Sequence, residues 1–248
     1  GLIFGTESVS ASAEREQYAA YVEFSIPVSD SLELQLAGRY DDYSDFGNTT
    51  NPKIAFRWAP SDEITVRASW AQGFRAPSLA QIGLGPSQKS QFFVDTQRCE
   101  QTGLDCQALD YNIEFSGNPD LEAEESESWN IGFIWAPEAD FGISVDIWSI
   151  TQDNKIDEEE FGPIYAAECG NQNSTICVRL PATGGASLGT IQKVHSTFKN
   201  LSSQEVSGID ISGNYNHSLD DLGLLKFNLE WAYQDKFEKD GRDYTGEY

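Results

Sequence analysis

The segment Ser128–Pro137 reads SWNIGFIWAP, and its alternation of apolar and polar residues indicates the fold class. Large apolar residues occupy every second position at Trp129, Ile131, Phe133 and Trp135, and small or polar residues stand between Trp129 and Phe133. Successive side chains of a β-strand point to opposite faces. This period of two therefore predicts a strand with one apolar face and one polar face.

The same period of two recurs from Gln17 to Gln234 and predicts eight strands. Several runs extend for about ten residues, which is the length of a tilted membrane strand and exceeds the usual length of soluble strands. Short and long connections alternate, so consecutive strands are expected to run in opposite directions. The predicted strands in one direction are Gln17–Ile26, Asn51–Ala59, Glu124–Ala136 and about Thr197–Asn216, and those in the other are Leu32–Asp41, Ile64–Gly73, Phe141–Ile156 and Leu224–Gln234.

The segment Ile191–Asn216 allows two interpretations. A turn at Asn200–Ser203 would divide it into two strands. The next tight turn would then lie on the outer side, with the long connections, and this would break the alternation of short and long connections. We therefore predict one long strand that projects beyond the membrane.

The connections predict the sidedness of the sheet. Trp58–Asp62 reads WAPSD and is predicted to form a short turn, because proline ends ladder pairing and presets a turn. Leu219–Gly223 is predicted to form a short turn without proline. The two longest connections are Arg75–Glu124 and Asp157–Thr197. Outer-membrane barrels have short periplasmic turns and long extracellular loops. The fold class is therefore predicted to be an all-β, antiparallel transmembrane β-barrel of the outer-membrane type.

The polar face of the predicted strands carries full charges. Charged side chains suit a wide hydrated lumen better than the half-covered sheet of a soluble sandwich. Two interpretations of the arginines stay open: pairing with carboxylates of the lumen or of a plug, or a basic patch for an anionic substrate. The residues expected to face the lumen or a plug are Arg39, Arg57, Arg67, Asp146, Asp210 and Glu230.

Composition excludes several classes of function. The formal charge is −24, so binding to nucleic acid phosphates is excluded. Catalytic motifs such as G-x-S-x-G or H-E-x-x-H are absent, so neither an enzyme nor a cofactor is expected. Acidic runs such as Asp157–Glu160 are interpreted as solvated loops, and a calcium site stays open as the alternative.

The four cysteines fall into two close pairs, Cys99/Cys106 and Cys169/Cys177. Zinc sites favour C-x-x-C spacing, which is absent, and no metal site is predicted from the cysteines. Local disulfides in an oxidising compartment fit this spacing better.

Four motifs together resemble the barrel of TonB-dependent outer-membrane receptors. The resemblance covers most of the chain, and the motifs follow one another in the order of that family. They are GRYDDYSDFG at Gly38–Gly47 with NPK at Asn51–Lys53, AQGFRAPS at Ala71–Ser78, GNPDLEAEES at Gly117–Ser126, and VSGID at Val206–Asp210.

The resemblance implies a barrel of about 22 strands in the bacterial outer membrane, surrounded by lipid and closed by an N-terminal plug domain. The family's plug is driven by the TonB–ExbB–ExbD complex, which contacts a short box in the N-terminal region. Residues 1–248 are then expected to be a fragment of about eight strands within a single barrel domain, without the plug. A closed eight-stranded barrel would be too narrow for the charged inward residues.

The resemblance also implies the function of a receptor that takes up a siderophore, cofactor, glycan or peptide by an energy-dependent route. The alternatives are a barrel for adhesion or passive diffusion, and a soluble or surface β-protein with lectin-like binding. We expect substrate contacts in the two long loops, although packing of these residues within the loops is an equal alternative. The candidate contacts are Arg75, Phe92, Phe93, Arg98, Tyr111 and Tyr165.

Overall fold

The computed structural model of the chain describes residues 13–219 and 223–246. Twelve strands and three helices occur in these residues. They are β1 (Gln17–Ser29), β2 (Leu32–Tyr43), β3 (Gly47–Ser61), β4 (Ile64–Arg75), α1 (Leu79–Gly83), β5 (Ser87–Phe93), α2 (Thr96–Thr102), β6 (Leu109–Ser116), β7 (Glu124–Glu138), β8 (Phe141–Glu158), α3 (Phe161–Glu168), β9 (Cys177–Arg179), β10 (Ile191–Ser218), β11 (Leu224–Lys239) and β12 (Arg242–Asp243).

All eight predicted strands are confirmed as β1 to β4, β7, β8, β10 and β11. The prediction of one long strand is also confirmed, because β10 runs without interruption for 28 residues. The predicted turn Leu219–Gly223 lies partly outside the described residues, at 220–222. Sequence periodicity did not predict the three helices or the short strands β5, β6, β9 and β12.

The long strands form one antiparallel sheet in the order β1-β2-β3-β4-β7-β8-β10-β11, with β12 beside β11. Their register places the alternating apolar residues in common rows. One row runs through Leu34, Phe56, Ala68, Ile131 and Ile147 on five neighbouring strands. The described sheet is open, since β1 pairs only with β2. The predicted all-β antiparallel fold class is confirmed.

The large side chains of this face are exposed rather than packed into a core. Phe24, Ile131 and Phe227 expose 57%, 52% and 56% of their surface. An exposed apolar face of this size marks a surface that meets lipid or another protein. No helix among residues 13–219 and 223–246 is long and apolar enough to span a membrane.

The chain divides into two compact units. The first, here called the barrel sheet, comprises residues 16–76, 123–155 and 202–246. The second, here called the loop unit, comprises residues 13–15, 77–122 and 156–201. The loop unit thus contains most of both long connections.

The loop unit has a sheet and a core of its own. Strand β6 pairs with β5 in antiparallel fashion and with the first part of β10 in parallel fashion, and β9 pairs with the same part of β10. Three helices accompany this sheet. Its buried cluster consists of Tyr111, Ile113, Ile164, Cys169, Cys177, Ile191 and Val194.

Candidate functional site

Three candidate contact residues of the loop unit lie in its aromatic core. Phe93 stacks on Tyr111 with 4.2 Å between ring centroids, and Phe161 lies at the same distance from Phe93. Tyr165 approaches Phe93 edge-on at 5.5 Å. Packing of these aromatic residues within the loops is therefore what the structure shows, and their contact with a substrate stays a prediction.

Burial changes the acidity of Tyr111. Its side chain is 4% exposed, and its hydroxyl has no hydrogen-bond partner in the described part of the chain. Removal from water disfavours the phenolate. Burial, assisted by the negative charges of Asp105 and Asp95, raises the pKa of Tyr111 from 10.0 to about 12. The hydroxyl is consequently neutral at any physiological pH.

Arg98 forms its side-chain hydrogen bonds inside the loop unit. Its guanidinium donates to the carboxylate of Asp105 and, through Nε, to the carbonyl oxygen of Leu188 at 3.2 Å. The residue is 8% exposed. The role of Arg98 as a substrate contact stays a prediction, since its described partners are all internal.

Phe92 is the candidate contact residue that the loop unit presents to solvent. It exposes 68% of its surface on β5, opposite Asp110 of β6. Neighbouring Phe93 points to the other face because the strand alternates. Phe92 therefore offers a flat apolar surface that is free for a ligand.

A buried ion pair that the sequence did not predict joins the two long connections. Arg179 Nη1 donates to Asp95 Oδ2 at 2.6 Å and Nη2 donates to Asp95 Oδ1 at 3.0 Å, and both side chains are 0% exposed. The Tyr165 hydroxyl and the backbone N–H of Arg98 also donate to Asp95. The partners are 84 residues apart, so no local signal could have revealed the pair.

Both predicted disulfides are present in the loop unit. The sulfur atoms of Cys99 and Cys106 are 2.02 Å apart, and those of Cys169 and Cys177 are 1.95 Å apart. Cys169 and Cys177 are fully buried, whereas Cys106 is exposed. Each disulfide closes a short segment of its own long connection.

Arg75, the remaining candidate contact, belongs to the barrel sheet. It lies at the end of β4 opposite Glu124 of β7, and its Nε and Nη2 each donate to the Glu124 carboxylate at 2.5 Å. This bidentate pair satisfies the guanidinium in the manner typical of arginine and carboxylate. A substrate contact of Arg75 stays a prediction.

The six candidate lumen residues share the polar face of the barrel sheet. The best-formed interaction is the pair Arg67–Asp146, in which Nη2 donates to both carboxylate oxygens at 2.8 Å. Gly132 stands between the two residues in the ladder. A Cβ atom at Gly132 would lie 2.6 Å from Arg67 Nε, so a larger residue would have to displace the paired side chains from their positions across β7.

The other candidates on this face differ in their surroundings. Arg39 donates to both oxygens of Asp41 at 2.7 and 2.8 Å. Asp210 accepts from Trp148 Nε1 at 3.0 Å. The remaining two candidates are exposed: Arg57 lies opposite Arg67 in the ladder, and Glu230 lies opposite Ser212.

Two of the three arginines are paired with carboxylates, and the interpretation as a basic patch for an anionic substrate stays a prediction. Arg39 and Arg67 are neutralised by carboxylates of the barrel sheet itself. Arg57 forms no ion pair with any described residue. The barrel sheet could therefore offer Arg57 to an anionic partner, while Asp210 and Glu230 could meet cations. No group of three metal-ligating side chains occurs among the residues that the structure describes.

A family model described as "TonB dependent receptor-like, beta-barrel" matches residues 2–248. The probable TonB-dependent siderophore receptor PirA of Acinetobacter baumannii is 29% identical over 118 residues, which are 46% of this chain and 14% of that receptor.

Solved structures share the fold. The siderophore receptor PirA from Acinetobacter baumannii superposes with a TM-score of 0.64 at 17% identity, covering 89% of this chain and 28% of that chain. A mutant of the ferric enterobactin receptor PfeA from Pseudomonas aeruginosa superposes with a TM-score of 0.65 at 18% identity, covering 95% of this chain and 29% of that chain. The chain spans less than a third of the length of each of these relatives.

Proposed function

Since the chain belongs to the TonB-dependent receptor β-barrel family, we propose that it forms part of an outer-membrane receptor for energy-dependent uptake of a scarce nutrient. The match of the family model over residues 2–248 carries this proposal. The siderophore class is the first candidate, because PirA of Acinetobacter baumannii is described as a probable siderophore receptor. Cofactors, glycans and peptides are the other nutrient classes to be tested.

The barrel sheet supports the location in the outer membrane. Its apolar residues fall in register on one face and are exposed there. Its other face carries charged residues, among them the pairs Arg39–Asp41 and Arg67–Asp146, as is typical of the wall of a hydrated lumen. A lectin-like soluble protein would have no reason to expose a continuous apolar face of this size.

The proposed receptor needs parts beyond the described sheet. Open strand edges are not tolerated in the hydrocarbon layer, so further strands must pair with β1. We assign residues 1–248 to a single barrel domain. A plug domain and the TonB–ExbB–ExbD complex are its proposed partners within this mechanism, with outer-membrane lipid around the barrel.

The loop unit is the proposed site of nutrient recognition in this chain. Barrel strands are committed to lipid on one face and to the lumen on the other, so recognition residues are expected mainly on loops held by that scaffold. Phe92 is exposed and presents a ring to solvent. Arg98, Phe93, Tyr111 and Tyr165 hold the shape of the unit, which reduces the ordering that binding would otherwise require.

Growth experiments test the proposed function. A strain that lacks the full-length gene should fail to grow on one or more ferric siderophores as the sole iron source, and complementation should restore growth. Dissipation of the proton-motive force should abolish uptake of the same compound. Unchanged growth of the deletion strain on every siderophore, cofactor, glycan and peptide tested would contradict the proposal.

A further inference from the structure

The outer edge of β5 has no strand beside it. Strand β5 pairs with β6 on one side, and no other described strand pairs with it. Because the N–H and C=O groups of a strand alternate between its two edges, about half of those in Ser87–Phe93 point away from β6. None of them bonds to another backbone group in the described part of the chain. The edge therefore presents a row of backbone donors and acceptors that is open to a further strand.

The edge lacks the features by which proteins protect open strands. Such features are a very short strand, a β-bulge, proline, or a charge that an added strand would bury. Strand β5 has seven residues, contains no proline and pairs with β6 without a register shift. Its one charged residue, Lys89, donates to both carboxylate oxygens of Glu158 at 2.6 Å and lies 4.3 Å above the ring of Phe115. A strand added beside β5 would consequently bury no unpaired charge of this edge.

The backbone of the edge selects the class of ligand. Its donors and acceptors repeat with the two-residue period of a strand, and a second extended backbone matches that period along the whole edge. A small molecule would satisfy only a few of these groups. The edge is thus suited to an extended polypeptide, whose alternate side chains would lie on the two faces of the sheet.

The side chains beside the edge favour a basic peptide. Phe92, which is 68% exposed, and Ser90 share one face of β5, and Asp110 of β6 lies opposite Phe92 on that face. The Ser90 hydroxyl donates to Asp110 Oδ2 at 3.2 Å, and Asp110 forms no ion pair with any described residue. Aspartate and glutamate also outnumber lysine and arginine in the loop unit. Attraction between opposite charges therefore favours lysine or arginine in the added strand.

We propose that the outer edge of β5 binds an extended basic peptide by strand addition. A lysine opposite Ser90 reaches over this small residue to Asp110, because neighbouring strands are only about 4.8 Å apart. An apolar side chain two positions away covers the ring of Phe92. This inference goes beyond the proposed function, since it gives the loop unit a polypeptide partner whichever nutrient is taken up.

Hydrogen exchange of the full-length receptor in nanodiscs tests the inference, with the synthetic peptide Thr-Lys-Thr-Phe-Thr-Lys-Thr as the probe. Exchange in Ser87–Phe93 should slow when the peptide is added, because outward N–H groups of β5 gain acceptors. The same peptide with every amide N-methylated should give no protection, since it cannot donate to the edge. Glutamate in place of both lysines should weaken binding, because it meets Asp110 with a like charge.

Two variants of the receptor test the side chains. Phe92→Ala should weaken binding of the lysine peptide by up to about fivefold, the range of one cross-strand side-chain pair. Asp110→Asn should reduce the preference for the lysine peptide over the glutamate peptide. Leu104→Ala is the matched control, because it removes another exposed apolar side chain of the loop unit outside β5, and it should bind like the unchanged receptor.

Four results would overturn the inference. Protection of β5 in the free receptor would mean that another segment of the receptor covers the edge. Protection that rises with receptor concentration, without peptide, would mean that β5 pairs with a second copy. Equal binding of the N-methylated peptide would exclude strand addition. Absence of protection at every soluble concentration of the lysine peptide would exclude a peptide site at β5.

Discussion

The barrel sheet and the loop unit bury opposite kinds of residues. In the barrel sheet the large apolar side chains are exposed, as in Phe133 at 44%, and the ion pairs lie on the other face. In the loop unit the aromatic rings pack inside, around an ion pair with no exposure at all. The barrel sheet is thus built for a lipid solvent outside, and the loop unit is built like a small protein in water.

The two regions obtain their stability from different interactions. The barrel sheet rests on long backbone ladders that remain in register over many strands. The loop unit rests on a compact core, two disulfides and the pair Arg179–Asp95. Changes to one set of interactions should leave the other set intact, and four substitution experiments test whether the two regions are independent in this way.

The largest effect is expected from Arg179→Met. This change leaves the carboxylate of Asp95 buried without a partner, which should destabilise the loop unit by about 3–5 kcal/mol. Hydrogen exchange should show lost protection in β6 and the first part of β10, with β7 protected as before. The control Lys89→Met breaks an exposed pair with Glu158 and should cost about 1 kcal/mol or less.

The double variant D95N/R179M separates the loss of the ion pair from the cost of the unpaired carboxylate. It removes the unpaired charge as well as the ion pair, so it should be more stable than Arg179→Met alone. Equal loss of protection in both variants would mean that the charge of Asp95 is not what destabilises the loop unit.

The second effect concerns the lipid face of the barrel sheet. Phe133→Arg should destabilise the barrel by about 2–4 kcal/mol, because a guanidinium near the bilayer centre is poorly solvated. Unfolding of the full-length receptor in lipid vesicles would measure this. Phe133→Leu is the matched control and should be nearly neutral. Spin labels at Ile131 and Phe133 that report water would contradict the assignment of this face to lipid.

The third effect concerns the exposed disulfide. Replacing Cys99 and Cys106 by serine should destabilise the loop unit by about 2–3 kcal/mol, because the closed loop restricts the unfolded chain. Mild reductant should open this disulfide before Cys169–Cys177, which is fully buried. Mass spectrometry of unreduced peptides would follow both. Simultaneous reduction of the two would contradict the separate environments that the structure assigns to them.

The smallest effect is expected from Tyr111→Phe. The hydroxyl of Tyr111 is buried without a described partner, so its removal should change the stability of the loop unit by about 1 kcal/mol or less. Unfolding at neutral pH measures this change. Destabilisation well beyond that range would show that the hydroxyl has a partner.

The same variant tests a pH dependence. Folding raises the pKa of Tyr111 from 10.0 to about 12, so the native state holds the proton more tightly than the unfolded state. This contribution to stability is complete below pH 10 and is lost as the pH rises toward 12. The unchanged protein should therefore lose stability relative to Tyr111→Phe across that interval.

Periodicity predicted the barrel sheet well because its strands face two different solvents. Every residue of β7, for example, meets either the apolar face or the polar face, and the order of residues records this directly. The two disulfides could likewise be predicted from the sequence, because each joins cysteines that are only seven or eight residues apart. The loop unit has no such period, and its helices and short strands were missed for that reason.

Patterns in the sequence therefore predicted the eight long strands, their directions, the single long strand β10 and the two disulfides. Three features became visible only in the folded chain: Asp95 binds Arg179, Arg67 reaches Asp146 across Gly132, and the ladder between β3 and β4 ends next to Pro52. The first two contacts join residues 84 and 79 positions apart. A local pattern reports the environment on each side of a strand, whereas partners this distant are selected only when the whole chain has folded and brought them together.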